Sequence, residues 1–265
     1  MAITPSTLGY WGTPTSSVDW CEQNYAHTEY VCELFNTLSS LAMVVVGLWG
    51  VYWHRRVLEL RFMLVFGSVA CVGLGSMAFH GSLLFEMQML DELPMLYTSA
   101  LLVYVLLENR PRRRFGIWLP AALLVYALSA TYGAAFMRGN AQFWSFQVSF
   151  ATLEFYAMYR VFLIHRASTD STQRRLFRVG ISLYLLAIGL WFVDIRYCAG
   201  IVNVAAGFGL HNPELHAWWH VLVSAGLYAL VLVIAYDRCR ILGRVPDWTL
   251  SVGVPHLKLR TNAER

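Results

Sequence analysis

Seven stretches of this chain, at about 34–54, 61–80, 91–108, 116–133, 141–163, 179–198 and 213–236, are long and apolar enough to be read as helices that cross a bilayer. A spanning helix rises about 1.5 Å per residue through hydrocarbon roughly 30 Å thick, so it needs roughly 20 mostly apolar residues. Backbone N–H and C=O groups find no water there and must be satisfied within the helix itself. Little sequence is left for a soluble domain. The pattern predicts an all-α, seven-transmembrane helix bundle: residues 1–33 form an acidic N-terminal segment, 34–240 the bundle, and 241–265 a short, polar, loosely ordered tail. Composition agrees, since 14% of the residues are charged against about 25% in soluble domains.

Orientation follows from Lys and Arg, which concentrate in cytosolic connections. Of the 20 such residues, all but Arg138 and Arg196 fall in or at the edges of the connections after the first, third and fifth runs, or in the tail. The reading places the N-terminus in the lumen and the C-terminus in the cytosol. The net charge of +4 then reflects topology, and no nucleic acid partner is expected. Residues 1–33 lack a basic start followed by an apolar core, so no cleavable signal peptide is expected and the first span acts as the targeting signal.

Eight histidines are present. His54, His165 and His256 fall in basic cytosolic stretches and read as solvated; His27 and His211 fall in polar lumenal ones. In LHAWWHVLV (215–223), His216 and His220 stand four residues apart and share one helix face. They suit a divalent metal such as Zn²⁺, or are interfacial histidines bonded to headgroups or backbone. His80 closes the second run at the same membrane face. Three histidines with an open fourth position are a catalytic zinc arrangement.

Carboxylates gather at that depth. Asp91 and Glu92, in LDELPM (90–95), read as opening the third span. Asp91 is either an acid–base group beside the metal or a helix N-cap. Ser76 shares a face with His80, and its hydroxyl can polarise a carbonyl. Alternatively it adjoins a small-residue packing stripe of Gly67, Cys71 and Gly75. Residues 1–54 contain no Lys or Arg but hold Asp19, Glu22, Asn24, Glu29 and Glu33. Clustered oxygens suit Ca²⁺, although an ordinary solvated segment has the same composition and the spacing is not that of an EF-hand. Among five cysteines, Cys71 and Cys239 read as free thiols. Cys21, Cys32 and Cys198 lie on the side where oxidation is permitted.

GYWG (9–12), DWCEQNY (19–25), FNTLSS (35–40), FH (79–80), EMQMLDELPM (86–95) and HAWWH (216–220) together resemble the alkaline ceramidase family. The resemblance implies hydrolysis of the amide bond of ceramide to a sphingoid base and a fatty acid, with the alkyl chains held in the bundle. It implies zinc on His80, His216 and His220, Asp91 as the proton-transfer group and Ser76 at the developing oxyanion. It also implies calcium on Asp19, Trp20 (through its carbonyl), Glu22, Asn24 and Glu33, and a Cys21–Cys198 disulfide. An endoplasmic reticulum or Golgi membrane is the implied location. Two residues depart from the family pattern: Ser40 stands where an Asn is expected, which reads as a packing change, and Glu154 lies inside the fifth span. A seven-helix receptor of the progestin and adipoQ type shares this metal pattern but has the opposite orientation. A metal transporter would need ligands through the membrane depth.

Overall fold

The structure is a computed structural model and describes residues 9–259. It is mostly helical. Helices α1 (Leu34–Ser39) and α2 (Leu41–His54) run on as one 21-residue apolar element, followed by α3 (Leu60–Ser82), α4 (Phe85–Leu107), α5 (Trp118–Phe136), α6 (Gly139–Ala167), α7 (Ser171–Gly207) and α8 (Leu215–Ile241). Six of these elements are long and apolar enough to cross a membrane: α1–α2, α3, α4, α5, α7 and α8. The chain is therefore that of a membrane protein.

Helix α6 is long enough but not apolar enough on average. Its polar side chains explain why: Gln142 is fully buried and Glu154 lines an internal cavity, whereas Trp144, Val148, Phe155 and Tyr159 face outward. A helix in lipid is apolar outside, and its polar groups turn toward protein. Helix α7 has 37 residues, and its regular geometry breaks at Tyr197, beside Cys198.

Several expectations need correction. The third span begins at Phe85 rather than near residue 91, with Leu84 as its N-cap residue. Asp91 thus lies two turns inside the helix, which removes the N-cap reading. Gly67 has nothing near it and Cys71 is exposed, so they form no packing stripe; Gly75 alone of the three sits at a close contact. Within the described residues the tail is not loosely ordered, and residues 260–265 lie outside them. Residues β1 (Pro246–Ser251) and β2 (Val254–Leu259) pair as an antiparallel hairpin that packs against α2 and α8. Trp248 stacks on Tyr236 with centroids 4.8 Å apart, and Leu257 is buried. That hairpin also buries two histidines that read as solvated. The His54 ring donates to the Gly50 carbonyl (2.8 Å) and accepts from Leu257 N (3.2 Å), while His256 packs on Trp53.

The bundle has two chemically different ends. The hairpin closes one, where Arg238 donates to Glu59 (2.8 and 2.9 Å) and Arg61 to Glu59 and to the Glu108 carbonyl. Residues 9–33 cover the other, where α3, α7 and α8 bring His80, Cys198 and His216 together.

Candidate active site

The contact of α3 with α4 fixes the first pair of residues. Pro94 lacks an N–H, so the carbonyl four residues earlier, at Leu90, loses its helical donor. Gly75 lies against that carbonyl so closely that a Cβ would stand 1.8 Å from the oxygen. The two departures from ordinary helix sequence answer each other. They bring the adjacent residues, Ser76 and Asp91, to the same contact between α3 and α4, where both line one cavity.

His80, His216 and His220 are buried, and their candidate ligand atoms lie within 4.8 Å of one another. Their ring centroids are 5.1, 5.0 and 4.6 Å apart in pairs. No other group of three His, Cys, Asp or Glu among the described residues converges in this way. His80 Nδ1 donates to Glu33 (2.5 Å), and His220 Nδ1 pairs with Ser39 Oγ (2.8 Å). Such partners fix ring orientation and leave the other nitrogen for a metal. His80 Nε2 and His216 Nδ1 are buried and have no protein partner. A buried polar nitrogen without a partner is costly, so this donor set fits a metal ion.

The N-terminal segment is tied to the same point. Trp20 stacks on His216, with centroids 3.6 Å apart. Trp20 N donates to Glu33 Oε1 (3.3 Å), and Asn36 Nδ2 to Glu33 Oε2 (3.0 Å). Glu22 accepts from the backbone N–H groups of Phe35 (2.7 Å) and Asn36 (2.8 Å) at the start of α1. Asn24 Nδ2 donates to Asp19 (3.1 Å), and Asn24 Oδ1 is buried without a partner. Burial pushes the carboxyls of Asp19 and Glu22 above their usual range, and that of Glu33 well above it. The orphaned Asn24 oxygen and the crowded carboxyls suit a hard cation such as Ca²⁺. No three of these acids converge as tightly as the histidines do.

Cys21 and Cys198 form a disulfide; Cys32 is buried and free. One turn before Cys198, Asp194 accepts from Cys21 N (3.1 Å) and from His216 N (3.3 Å). This residue was not singled out in the sequence. One acid inside an apolar run, four residues before a cysteine, was the available signal. Ser40 also does more than pack: its Oγ lies 2.7 Å from the Asn36 carbonyl, 3.0 Å from Ser76 Oγ and 3.4 Å from His220 Nδ1. Glu92, next to Asp91, is held by Gln88 (2.8 Å) and Gln142 (2.5 Å), and Gln88 in turn accepts from Ser17 N (2.8 Å).

His216 and His220 open into a cavity of about 390 Å³ within the bundle. Ser76, Asp91, His216 and His220 line its head, and Phe150, Met158, Leu185 and Ile188 are among the apolar residues deeper in. Fold and site define a polytopic helical membrane protein with a buried three-histidine centre at one end of an apolar cavity.

Comparison with known proteins gives that class a family. Residues 12–256 match the family described as Ceramidase. The chain is 32% identical over 260 residues to alkaline ceramidase 3 of Mus musculus, covering 96% of each. It is 28% identical over 289 residues to alkaline ceramidase 1 of Homo sapiens, covering 97% of each. It is 27% identical over 252 residues to alkaline ceramidase of Arabidopsis thaliana, covering 94% of this chain and 95% of that one. The chain belongs to the ceramidase family and is a hydrolase of that class.

Proposed function

We propose that the protein is a zinc-dependent intramembrane amidase, modulated by calcium, that cleaves the ceramide amide bond to a sphingoid base and a free fatty acid. One observation carries the reading. Three buried histidines converge, two of them with an orphaned ring nitrogen, and His216 and His220 stand at the head of an apolar cavity with Ser76 and Asp91 in its wall, in a chain of the ceramidase family.

When held by His80, His216 and His220, zinc supplies a strong nucleophile from water near neutral pH and polarises the scissile carbonyl. The chain supplies the rest. The apolar cavity excludes water and orients the alkyl chains, placing the amide at the head. Ser76 donates a hydrogen bond to the carbonyl oxygen as charge grows there. Asp91 takes the proton released when the nucleophile forms and delivers it to the leaving nitrogen. Glu33 and Ser39 hold the His80 and His220 rings in register. Asp19, Trp20 (through its carbonyl), Glu22, Asn24 and Glu33 would hold calcium, whose charge would offset the acids of the N-terminal segment and so support Glu33 and the His80 ring behind it.

The bundle is read as seven spans, with α6 as the amphipathic member and α1–α2 as one span. The Arg-rich hairpin end faces the cytosol, and the N-terminus and histidines face the lumen of the endoplasmic reticulum or Golgi. Supporting this are the length of α6, its apolar outer face and the basic residues gathered at the hairpin end. A glycosylation acceptor inserted near residue 10 is then modified and one after residue 250 is not.

The test of activity is direct. The purified chain in phospholipid nanodiscs releases sphingoid base and fatty acid in equal amounts from ceramide. Failure with the metal restored contradicts the reading.

A further inference from the structure

The hydrolase reading uses the head of the cavity and leaves a polar cluster further in without a task. Glu154 on α6 accepts from Ser99 on α4 and from the hydroxyl of Tyr184 on α7, the latter at 2.6 Å. All three line the same cavity as His216 and His220. Ser99 and Tyr184 are buried, whereas Glu154 keeps part of its surface accessible. Thr98 donates to the Pro94 carbonyl (2.7 Å) and Ser224 to the His220 carbonyl (2.5 Å), each on its own helix, whereas Ser99 reaches Glu154 as well as its own helix's Met95 carbonyl (3.1 Å). Away from the head of the cavity, the Ser99, Glu154 and Tyr184 side chains bring polar atoms from three helices to one point of a largely apolar wall.

A plain alkyl chain gains nothing from that point. Covering a carboxyl group with hydrocarbon removes its remaining hydration and costs free energy. An acid at this depth marks a functional contact unless packing alone explains it. A carboxylate offers roughly four lone-pair positions, and two donors are seen here. Capacity therefore remains for a donor carried by the ligand. The depth is set by α4: Ser99 lies eight residues beyond Asp91, or about 12 Å along the helix at 1.5 Å per residue. A hydroxyl meeting Glu154 lies well along a hydrocarbon chain, far from the amide.

We infer that Ser99, Glu154 and Tyr184 form a hydroxyl-recognition subsite that selects substrates whose cavity-bound hydrocarbon chain carries a mid-chain hydroxyl. The inference rests on the proposed ceramide hydrolysis and adds a substrate class to it. Glu154 accepts the ligand hydroxyl, and Ser99 and Tyr184 hold the carboxyl oriented toward the cavity. A hydroxyl near the headgroup or at the far methyl end misses the subsite.

The test uses ceramides that are identical except for one hydroxyl, moved along the acyl chain in one series and along the sphingoid chain in another. In the wild type, one series peaks at a mid-chain position, with kcat/KM about tenfold above the plain ceramide, the scale of one net hydrogen bond to a charged group. In Glu154→Leu the ratio of hydroxylated to plain falls to about one or below, and Glu154→Gln keeps part of it. If no position is preferred in the wild type, the subsite is refuted. It is equally refuted if Glu154→Leu lowers both substrates together, because that is the behaviour of a structural tie between helices. Equilibrium binding of mid-chain-hydroxylated and plain fatty acids and sphingoid bases reads the subsite without turnover. Discrimination in binding without ceramide hydrolysis keeps the subsite and overturns the hydrolase reading; hydrolysis without discrimination does the reverse.

Discussion

The two ends of the bundle solve opposite electrostatic problems. At the hairpin end, acids meet arginines. Hydrogen bonds from Arg238 and Arg61 pull the Glu59 carboxyl down to about 2. At the histidine end, Asp19, Glu22 and Glu33 are pushed up by burial, and among the described residues no Lys or Arg pairs with them. One end neutralises charge with side chains in a fixed framework. The other leaves carboxylates and imidazoles without a built-in counter-charge, which is what a site must do if metal ions are to supply it. The same protein is thus rigid by its own means at the hairpin end and conditionally rigid at the site.

The sharpest way to break this contrast is at Asp91. Asp91→Asn keeps the shape and the Ser76 neighbour but cannot carry a proton. Turnover should fall by about 100-fold or more while metal content stays at the wild-type level. Turnover at the wild-type rate would remove Asp91 from the proton path.

Glu33 comes next, because it joins the two proposed metal sites: His80 on one oxygen, Trp20 on the other. Glu33→Gln should lower turnover by roughly 10- to 100-fold, the usual scale for a group that orients a metal-binding histidine. Added calcium should restore part of it. Calcium without effect on either protein would make the N-terminal segment a purely structural cover.

The disulfide is a smaller, stability-level difference between the ends. Cys198→Ser should lower the unfolding midpoint in detergent, for a loss of roughly 2–4 kcal/mol. The loss should concentrate in residues 18–36, read by hydrogen exchange. Unchanged exchange there would mean that Asp194 alone holds the segment to α7.

The smallest effect belongs to the hairpin end. The Glu59 carboxyl sits lower in the folded state than in the unfolded one, so its contribution is present above the ordinary carboxylate range and is lost as pH falls toward about 2. Glu59→Gln should cost about 1 kcal/mol at neutral pH, since the pair is partly exposed. The difference from wild type should vanish only in strong acid. A difference that vanishes by pH 5 would contradict the pairing.

What could be read in the sequence follows the range of the physics involved. Spans show as runs of about twenty apolar residues because the bilayer imposes that length locally, and His216 and His220 show because helical spacing is local too. Helix α6 was legible as a run, but a hydropathy average blurs its two faces. The hairpin was missed because Trp248 and Leu257 become buried only against α2 and α8, far away in sequence. Asp91 reads as a helix start because Asp is favoured at an N-cap; the Gly75–Leu90 contact that draws the helices together lies between residues on different helices. Asp194 and the Glu33–His80 link are likewise contacts across many residues, without a local signature.

The central claim is that the three histidines hold a zinc ion on which ceramide cleavage depends. The direct measurement is zinc per chain and ceramide turnover, taken on the same preparations of wild type, His80→Ala, His216→Ala and His220→Ala. The account predicts about one zinc per wild-type chain, together with loss of both zinc and turnover in each folded variant and recovery of the wild type alone when zinc is returned after chelation. Full turnover by any of the three variants in the absence of metal would contradict it.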